Sequence, residues 1–301
     1  MLLRGMLLGV ITAILQSISY LASAWFIRRH GSALKLLISS HLIMGMASAV
    51  LLPFCFPDKL FSENPGNCLL LGLWIITFSL GQGGFFLTQK HIESSRLASL
   101  LGLKIVVLAL IWSCGYGNPL NWLQIGGIGL SVIAAFVMNW SGSVQLSFKG
   151  IVALTITLVA FSVTDITETN MVLAADRGDI VSAGIAVTML CYVTLGIFSL
   201  PFLAKVRITR RMLLDALPFA ALWLLSQISL LICFGILRPV FGNVIQSSRC
   251  IFSVLLGCLA CHLGWDVMEQ KASLMTWIRR AIAALLMIGG IACFSFGKII
   301  G

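Results

Sequence analysis

Apolar runs of about twenty residues recur along the whole chain, separated by short polar loops, and no other feature constrains the fold as strongly. Each run is long enough to cross a hydrocarbon core of roughly 30 Å as a helix. The runs predict ten spans, over 5–27, 33–54, 67–88, 95–114, 120–140, 150–174, 180–203, 213–236, 242–263 and 278–299. The expected fold class is therefore an all-α integral membrane protein with ten transmembrane helices. Composition agrees: of 301 residues 59% are hydrophobic and 10% charged, where a soluble domain carries roughly a quarter charged residues. No stretch is left over for a soluble domain.

The net charge of +10 would point a soluble chain toward nucleic acid, but here the basic residues lie at span ends and report topology, so no nucleic-acid partner is expected. The side holding the loops after odd-numbered spans carries Arg28, Arg29, Lys35, Lys90, Arg96, Lys149, Lys205, Arg207, Arg210, Arg211, Lys271, Arg279 and Arg280. The other side carries Arg4, Lys59, Arg177, Arg238 and Lys298. Lys and Arg concentrate on the cytoplasmic side, which predicts an inner-membrane protein with the odd loops cytoplasmic and both termini outside. Arg4, the following apolar stretch and Ala22-Ser23-Ala24 superficially fit a signal peptide. Cleavage is not expected, because this apolar stretch is longer than a usual signal core and has a counterpart in the second half. The nine cysteines are odd in number and mostly inside spans, which is no disulfide framework.

That counterpart belongs to an internal repeat. At an offset of 145, Gly5 matches Gly150, Ser17 matches Ser162, Gln82 matches Gln227 and Lys104 matches Arg249. The register slips by ten residues after the ninth span, and Asn121-Trp122 then aligns with Thr276-Trp277. The halves, 1–145 and 146–301, hold five spans each. An odd number inverts the second half relative to the first and places a substrate site between them near mid-bilayer.

Five plus five helices, a Gln near the end of helix three, a short fourth helix and a Gly-rich fifth (Gly126, Gly127, Gly129) resemble the drug/metabolite transporter superfamily, EamA-type branch. The resemblance covers essentially the whole chain and implies a secondary transporter that is not an enzyme and needs no cofactor. Relatives usually have a Pro midway along helices four and nine and a Gly-Glu pair after them. This chain has Lys104 and Arg249 near the first position and no such Glu. Many relatives keep both termini in the cytoplasm, opposite to the charge count here.

Ionisable groups within spans cost about 2.5 to 3.5 kcal/mol on insertion scales, so each needs a partner or a water-filled cavity. Lys104 and Arg249 occupy equivalent places in the two halves and should converge near the axis. They either line the cavity and bind an anionic group, as basic residues on the corresponding helices do in the similar plastid phosphate translocators, or pair with carboxylates and lock helices together. Asp165 and Glu168 are three apart and share a helix face; with Thr164, Thr167 and Asn170 they form a polar stripe. Carried back by 145 residues it becomes Ser19, Tyr20 and Ser23, joined by Gln16 one turn earlier. Two adjacent carboxylates repel in a poor solvent for charge, which suits a proton-coupling or cation site; the bland alternative is a salt bridge to Arg249. Gln82 and Gln227 can donate and accept, and suit either substrate contact or interhelical hydrogen bonding. The candidate substrate residues are thus Lys104, Arg249, Gln82, Gln227, Tyr20 and Gln16, with Asp165 and Glu168 as the coupling or cation site and no metal site.

Other features carry less. A lone span histidine such as His41 is more often hydrogen-bonded to a neighbour than a proton relay. Trp74, Phe86 and Trp223 suit packing better than cavity walls. Cys258-Leu-Ala-Cys261-His262 fits a haem-attachment spacing but lies in an apolar helix near the expected cytoplasmic face. Asn139-Trp140-Ser141 is a formal glycosylation sequon abutting a span on that same face. Gly5 and Gly9 have the G-x-x-x-G spacing of close helix packing, within the fold by default and between monomers as the minority reading, so a monomer or weak homodimer is expected.

The best-fitting function is export of an amphoteric amino acid or derivative by proton antiport, with a small-molecule substrate, protons or a counter-substrate, and the lipid bilayer as partners. An organic-anion or phosphate-ester exchanger, an organic-cation transporter and a non-transporting membrane subunit are the alternatives. An intramembrane enzyme is disfavoured: the chain has no nucleotide loop, no H-E-x-x-H pattern and no Ser/His/Asp set whose pairing the sequence can place.

Overall fold

A computed structural model of the chain describes residues 1–55, 66–92, 94–116, 121–140, 148–262 and 274–300. It is helical throughout the described residues. The helices are α1 (Leu2–His30), α2 (Ala33–Leu51), α3 (Gly66–Gln89), α4 (Ser94–Leu100), α5 (Lys104–Tyr116), α6 (Trp122–Trp140), α7 (Phe148–Ala175), α8 (Ile180–Leu203), α9 (Arg210–Gln246), α10 (Arg249–His262) and α11 (Leu274–Ile300). Among the described residues six segments are long and apolar enough to cross a membrane: Leu2–His30, Ala33–Phe54, Gly66–Gln89, Phe148–Ala175, Ile180–Leu203 and Arg210–Pro239. Shorter apolar helical stretches, Trp122–Ala134, Arg249–Leu259 and Ala281–Gly290, fall inside three of the other expected spans.

Polarity is distributed as lipid requires. On α1 the side chains of Leu3, Leu7, Ile11 and Ile14 face outward, while Thr12, Gln16, Ser17, Tyr20 and Ser23 are buried. Polar groups inside and aliphatic groups outside reverse the soluble pattern, because the outer solvent is hydrocarbon and only the interior can satisfy a hydrogen bond. The buried apolar core contains Tyr20, Trp74, Phe78, Phe85, Phe86, Tyr192, Phe219 and Trp223 in one cluster with aliphatic residues.

Four helix pairings dominate the packing: α1 with α9, α2 with α8, α3 with α7, and α6 with α11. A glycine sits at each. A Cβ on Gly5 or Gly9 of α1 would come within 2.8 Å of Leu237 or Ile245 of α9. One on Gly45 of α2 would stand 2.7 Å from the Gly196 Cα of α8. On Gly84 of α3 it would meet Thr157 Oγ1 at 2.5 Å, and on Gly290 of α11 the Gly127 carbonyl at 2.7 Å. Lipid tails are as apolar as leucine, so helices in a bilayer gain by close van der Waals approach, and small residues permit it. Gly5 and Gly9 thus pack within the fold.

Three expectations change in detail. Span 95–114 is two helices, α4 and α5, separated by a 3-10 turn over Leu101–Leu103. The division expected between the eighth and ninth spans falls at Arg238, whose φ of 67° and ψ of 160° are non-helical and separate two helical segments within α9; the ninth span is itself broken again before Arg249, where α10 begins. Arg96, counted from sequence among the loop charges, is 2% exposed inside α4. The boundary expected at 145/146 lies outside the described residues.

Candidate functional site

Two helix breaks build the site. Lys104 is the first residue of α5, directly after the 3-10 turn, and Arg249 is the first residue of α10, directly after α9 ends. Serine hydroxyls from α1 and α7 reach the carbonyls of these two residues in matching fashion. Ser17 Oγ reaches the Arg249 carbonyl at 3.1 Å, and Ser162 Oγ reaches the Lys104 carbonyl at 3.2 Å. Each serine hydroxyl also lies 2.7 Å from the carbonyl four residues back in its own helix. The donors and acceptors are related by the offset of 145 in both cases.

Between the breaks lies a narrow cavity of about 20 Å³. Its walls are Gln16 and Tyr20 from α1, Phe78 from α3, Lys104 from α5, and Phe161, Thr164, Asp165 and Glu168 from α7. Trp223, Gln227, Leu230 and Gln246 from α9 and Arg249 from α10 complete it. Lys104 Nζ lies 2.6 Å from Asp165 Oδ2, which also accepts from Asn243 Nδ2 at 2.7 Å. Lys104 donates a longer bond, 3.5 Å, to Gln246 Oε1. Gln246 Nε2 donates to Gln16 Oε1 at 3.0 Å, and the same oxygen accepts from Arg249 Nη1 at 3.2 Å. Glu168 Oε1 accepts from the Trp74 indole N–H at 2.7 Å. Arg249 Nε has no hydrogen-bond partner although the residue is 4% exposed.

The four charges are therefore not equivalent. Lys104 and Asp165 neutralise one another. Arg249 and Glu168, each buried, have only neutral side-chain partners among the described residues, with no ion pair to either. The salt bridge considered from sequence between a helix-six carboxylate and Arg249 is replaced by one to Lys104, because the break after Leu103 aims the lysine at Asp165.

Seven of the eight sequence-selected residues line this cavity; Gln82 does not. Its Oε1 lies 2.6 Å from His41 Nε2, and His41 Nδ1 lies 2.9 Å from Ser199 Oγ, so a histidine on α2 draws Gln82 away while Gln227 keeps the cavity position. His41 is hydrogen-bonded to neighbours, as a lone span histidine usually is. Trp74 and Phe86 are fully buried core residues, whereas Trp223 both lines the cavity and donates to the Tyr192 hydroxyl at 2.9 Å. Phe78, Phe161, Asn243 and Gln246 were missed. Asn243 and Gln246 carried a readable signal, being amides inside an apolar span on the same helical face. Phe161 lies 145 residues after Gln16. Cys258 is exposed, and among the described residues no three His, Cys, Asp or Glu side chains group as a metal site. The side chains of Asn139, Trp140 and Cys261 fall outside the described residues.

An all-helical body that is apolar outside and holds a charged cavity inside defines a multi-pass membrane protein with an internal polar site. Residues 3–140 match the model of the EamA-like transporter family, a family of the drug/metabolite transporter superfamily. Over that segment the chain is similar to membrane transporters of that type. A solved crystal structure superposes over 96% of this chain and 95% of its own with a TM-score of 0.58 at 15% sequence identity, a likeness of fold alone. No curated protein matches the chain.

Proposed function

We propose that the chain is a secondary active transporter whose cavity binds a small amphoteric metabolite, an amino acid or derivative, and exports it against inward proton flow. The observation that carries this is the split of charges: Lys104 and Asp165 are mutually satisfied, while Arg249 and Glu168 are buried without ionic partners. A buried charge without a counter-ion costs several kcal/mol. A ligand bearing one carboxylate and one ammonium removes both penalties at once. The carboxylate takes Arg249, whose Nε–H is free and whose planar fork suits bidentate binding. The ammonium takes Glu168, with the Phe78 and Trp223 rings nearby for cation–π contact. At about 20 Å³ the cavity as it stands has room for a water and not for the ligand, which would enter as the halves rock apart. Glu168 carries the substrate ammonium in one half of the cycle and a proton in the other.

The architecture that goes with this reading is ten spans in two inverted halves, 1–145 and 146–301, rocking about the cavity. It is supported by the matched serine bonds to the Lys104 and Arg249 carbonyls, and by the pairings. Exchanging the halves turns α1–α9 into α7–α3 and maps α2–α8 and α6–α11 onto themselves. The charge count supports an inner-membrane orientation with odd loops cytoplasmic. An organic cation held by Glu168 and the aromatic walls is the second reading, favoured by those walls.

The test is a thermal-shift screen in detergent against amino acids, organic anions, phosphate esters and organic cations, repeated with Arg249→Ala, followed by proteoliposome transport of the hit at several pH values. Amino acids should stabilise the wild type and not Arg249→Ala, and Glu168→Gln should abolish the pH dependence of transport. Stabilisation by organic cations that survives Arg249→Ala selects the second reading; stabilisation by phosphate esters alone rejects both.

A further inference from the structure

On the outer face of the α3–α7 pair runs an apolar groove of about 440 Å³, separate from the central cavity. Its walls are Leu80, Gly83 and Leu87 on α3 and Val152 and Ile156 on α7, with Lys149 at one end. Gly83 leaves the groove open: a Cβ there would meet only Leu37 Cδ2, at 3.8 Å. The groove spans the eight residues from Lys149 to Ile156, about 10 Å at 1.5 Å per residue, which covers most of one leaflet of a hydrocarbon core roughly 30 Å thick. The only charge on its lining is at the end where α7 begins, so one terminus belongs at headgroup level and the rest in acyl chain. Lys90 follows Leu87 by three residues, continues the same face beyond the end of α3, and is exposed. Two cations at the headgroup end of a leaflet-deep groove complement an anionic lipid and not a neutral one.

We propose that this groove is a binding site for one anionic phospholipid, its acyl chain lying along Gly83 and its phosphate held by Lys149 and Lys90. The site rests on the chain's being a membrane protein and is independent of the substrate reading. Basic residues close to the membrane surface favour anionic lipid, so charge selects the headgroup while the groove selects a chain.

Native mass spectrometry of the full chain in detergent, titrated with phosphatidylglycerol or phosphatidylcholine of the same chain length, tests this. The wild type should retain one phosphatidylglycerol with at least about fivefold preference over phosphatidylcholine. Gly83→Leu and Val152→Trp, which fill the groove from opposite walls, should each lose the retained lipid while keeping the wild-type melting profile. Lys149→Gln should keep a lipid but lose the headgroup preference. Equal retention by wild type and both filled variants, or equal retention of the two lipids by wild type, overturns the proposal. So does a dimer that the filled variants dissociate, since the occupant would then be a second copy of the chain.

Discussion

Lys104 and Asp165 lie 2.6 Å apart with 5% side-chain exposure each, so the pair is held away from water by the surrounding helices. Removing one member of such a pair strands the other, whereas replacing both with apolar groups strands nothing ionic. Asp165→Leu is expected to destabilise the protein by about 3 kcal/mol, and Lys104→Met/Asp165→Leu to recover a substantial part of that loss. Melting in detergent of the two single variants and the double checks it; equal destabilisation by the single and double variants would mean the pair's charges do not matter. Arg249 behaves differently because its partner, Gln16, is neutral. If the proposed ligand carboxylate binds there, Arg249→Ala should weaken affinity by about a hundredfold, the equivalent of roughly 3 kcal/mol for a truncated buried charge contact. From sequence, each of these residues could be recognised as one that lipid does not explain. Which carboxylate meets which cation could not, since the answer depends on where two helices break.

Those breaks are the main event at the level of elements. Splitting α4 from α5, and α10 from α9, sets two cations at helix starts facing the cavity, and Ser17 and Ser162 bond the carbonyls of those same two residues. The bend in α9 is held at Arg238 with φ 67° and ψ 160°, a conformation that L side chains rarely adopt. Non-glycine residues in such regions cost about 1 to 3 kcal/mol, and glycine escapes most of this at some cost in unfolded-state entropy. Arg238→Gly should therefore raise stability by about 1 kcal/mol, read as an increased Tm; a lower Tm would show that the arginine's contacts outweigh the backbone strain. The α2–α8 crossing permits the opposite experiment. The Cβ of Gly45→Leu would press on backbone at Gly196, which cannot swing aside, so a loss of about 1 to 3 kcal/mol is expected from overpacking. Apolar length is a local property, so the sequence located the six long spans and the division at Arg238, which falls between the spans expected at 213–236 and 242–263. It did not locate the 3-10 turn over Leu101–Leu103, which has no proline to announce it, or the break before Arg249.

Across the whole molecule the principal pairings each join a helix from residues 2–140 to one from residues 148–300, so the halves are interleaved and neither owns a complete core. Expressed alone, 1–145 or 146–301 should be degraded or aggregate; co-expressed as two chains they should co-purify and melt cooperatively. Stable, monodisperse single halves would contradict this. The chain's chemistry as lipid-solvated helices followed from composition and the length of its apolar runs, because those are set residue by residue against the thickness of a bilayer. The pairing of Lys104 with Arg249, and of Ser17 with Ser162, was also visible, because a fixed offset of 145 survives in the order of residues. Whether these groups meet one another was decided by tertiary structure. His41 captured Gln82, Lys104 rather than Arg249 took Asp165, and Asn243 and Gln246 came into the site through a bent helix. Hydrogen bonds and ion pairs act over about 3 Å, and distances of that size between residues far apart in sequence are fixed only when the helices have packed.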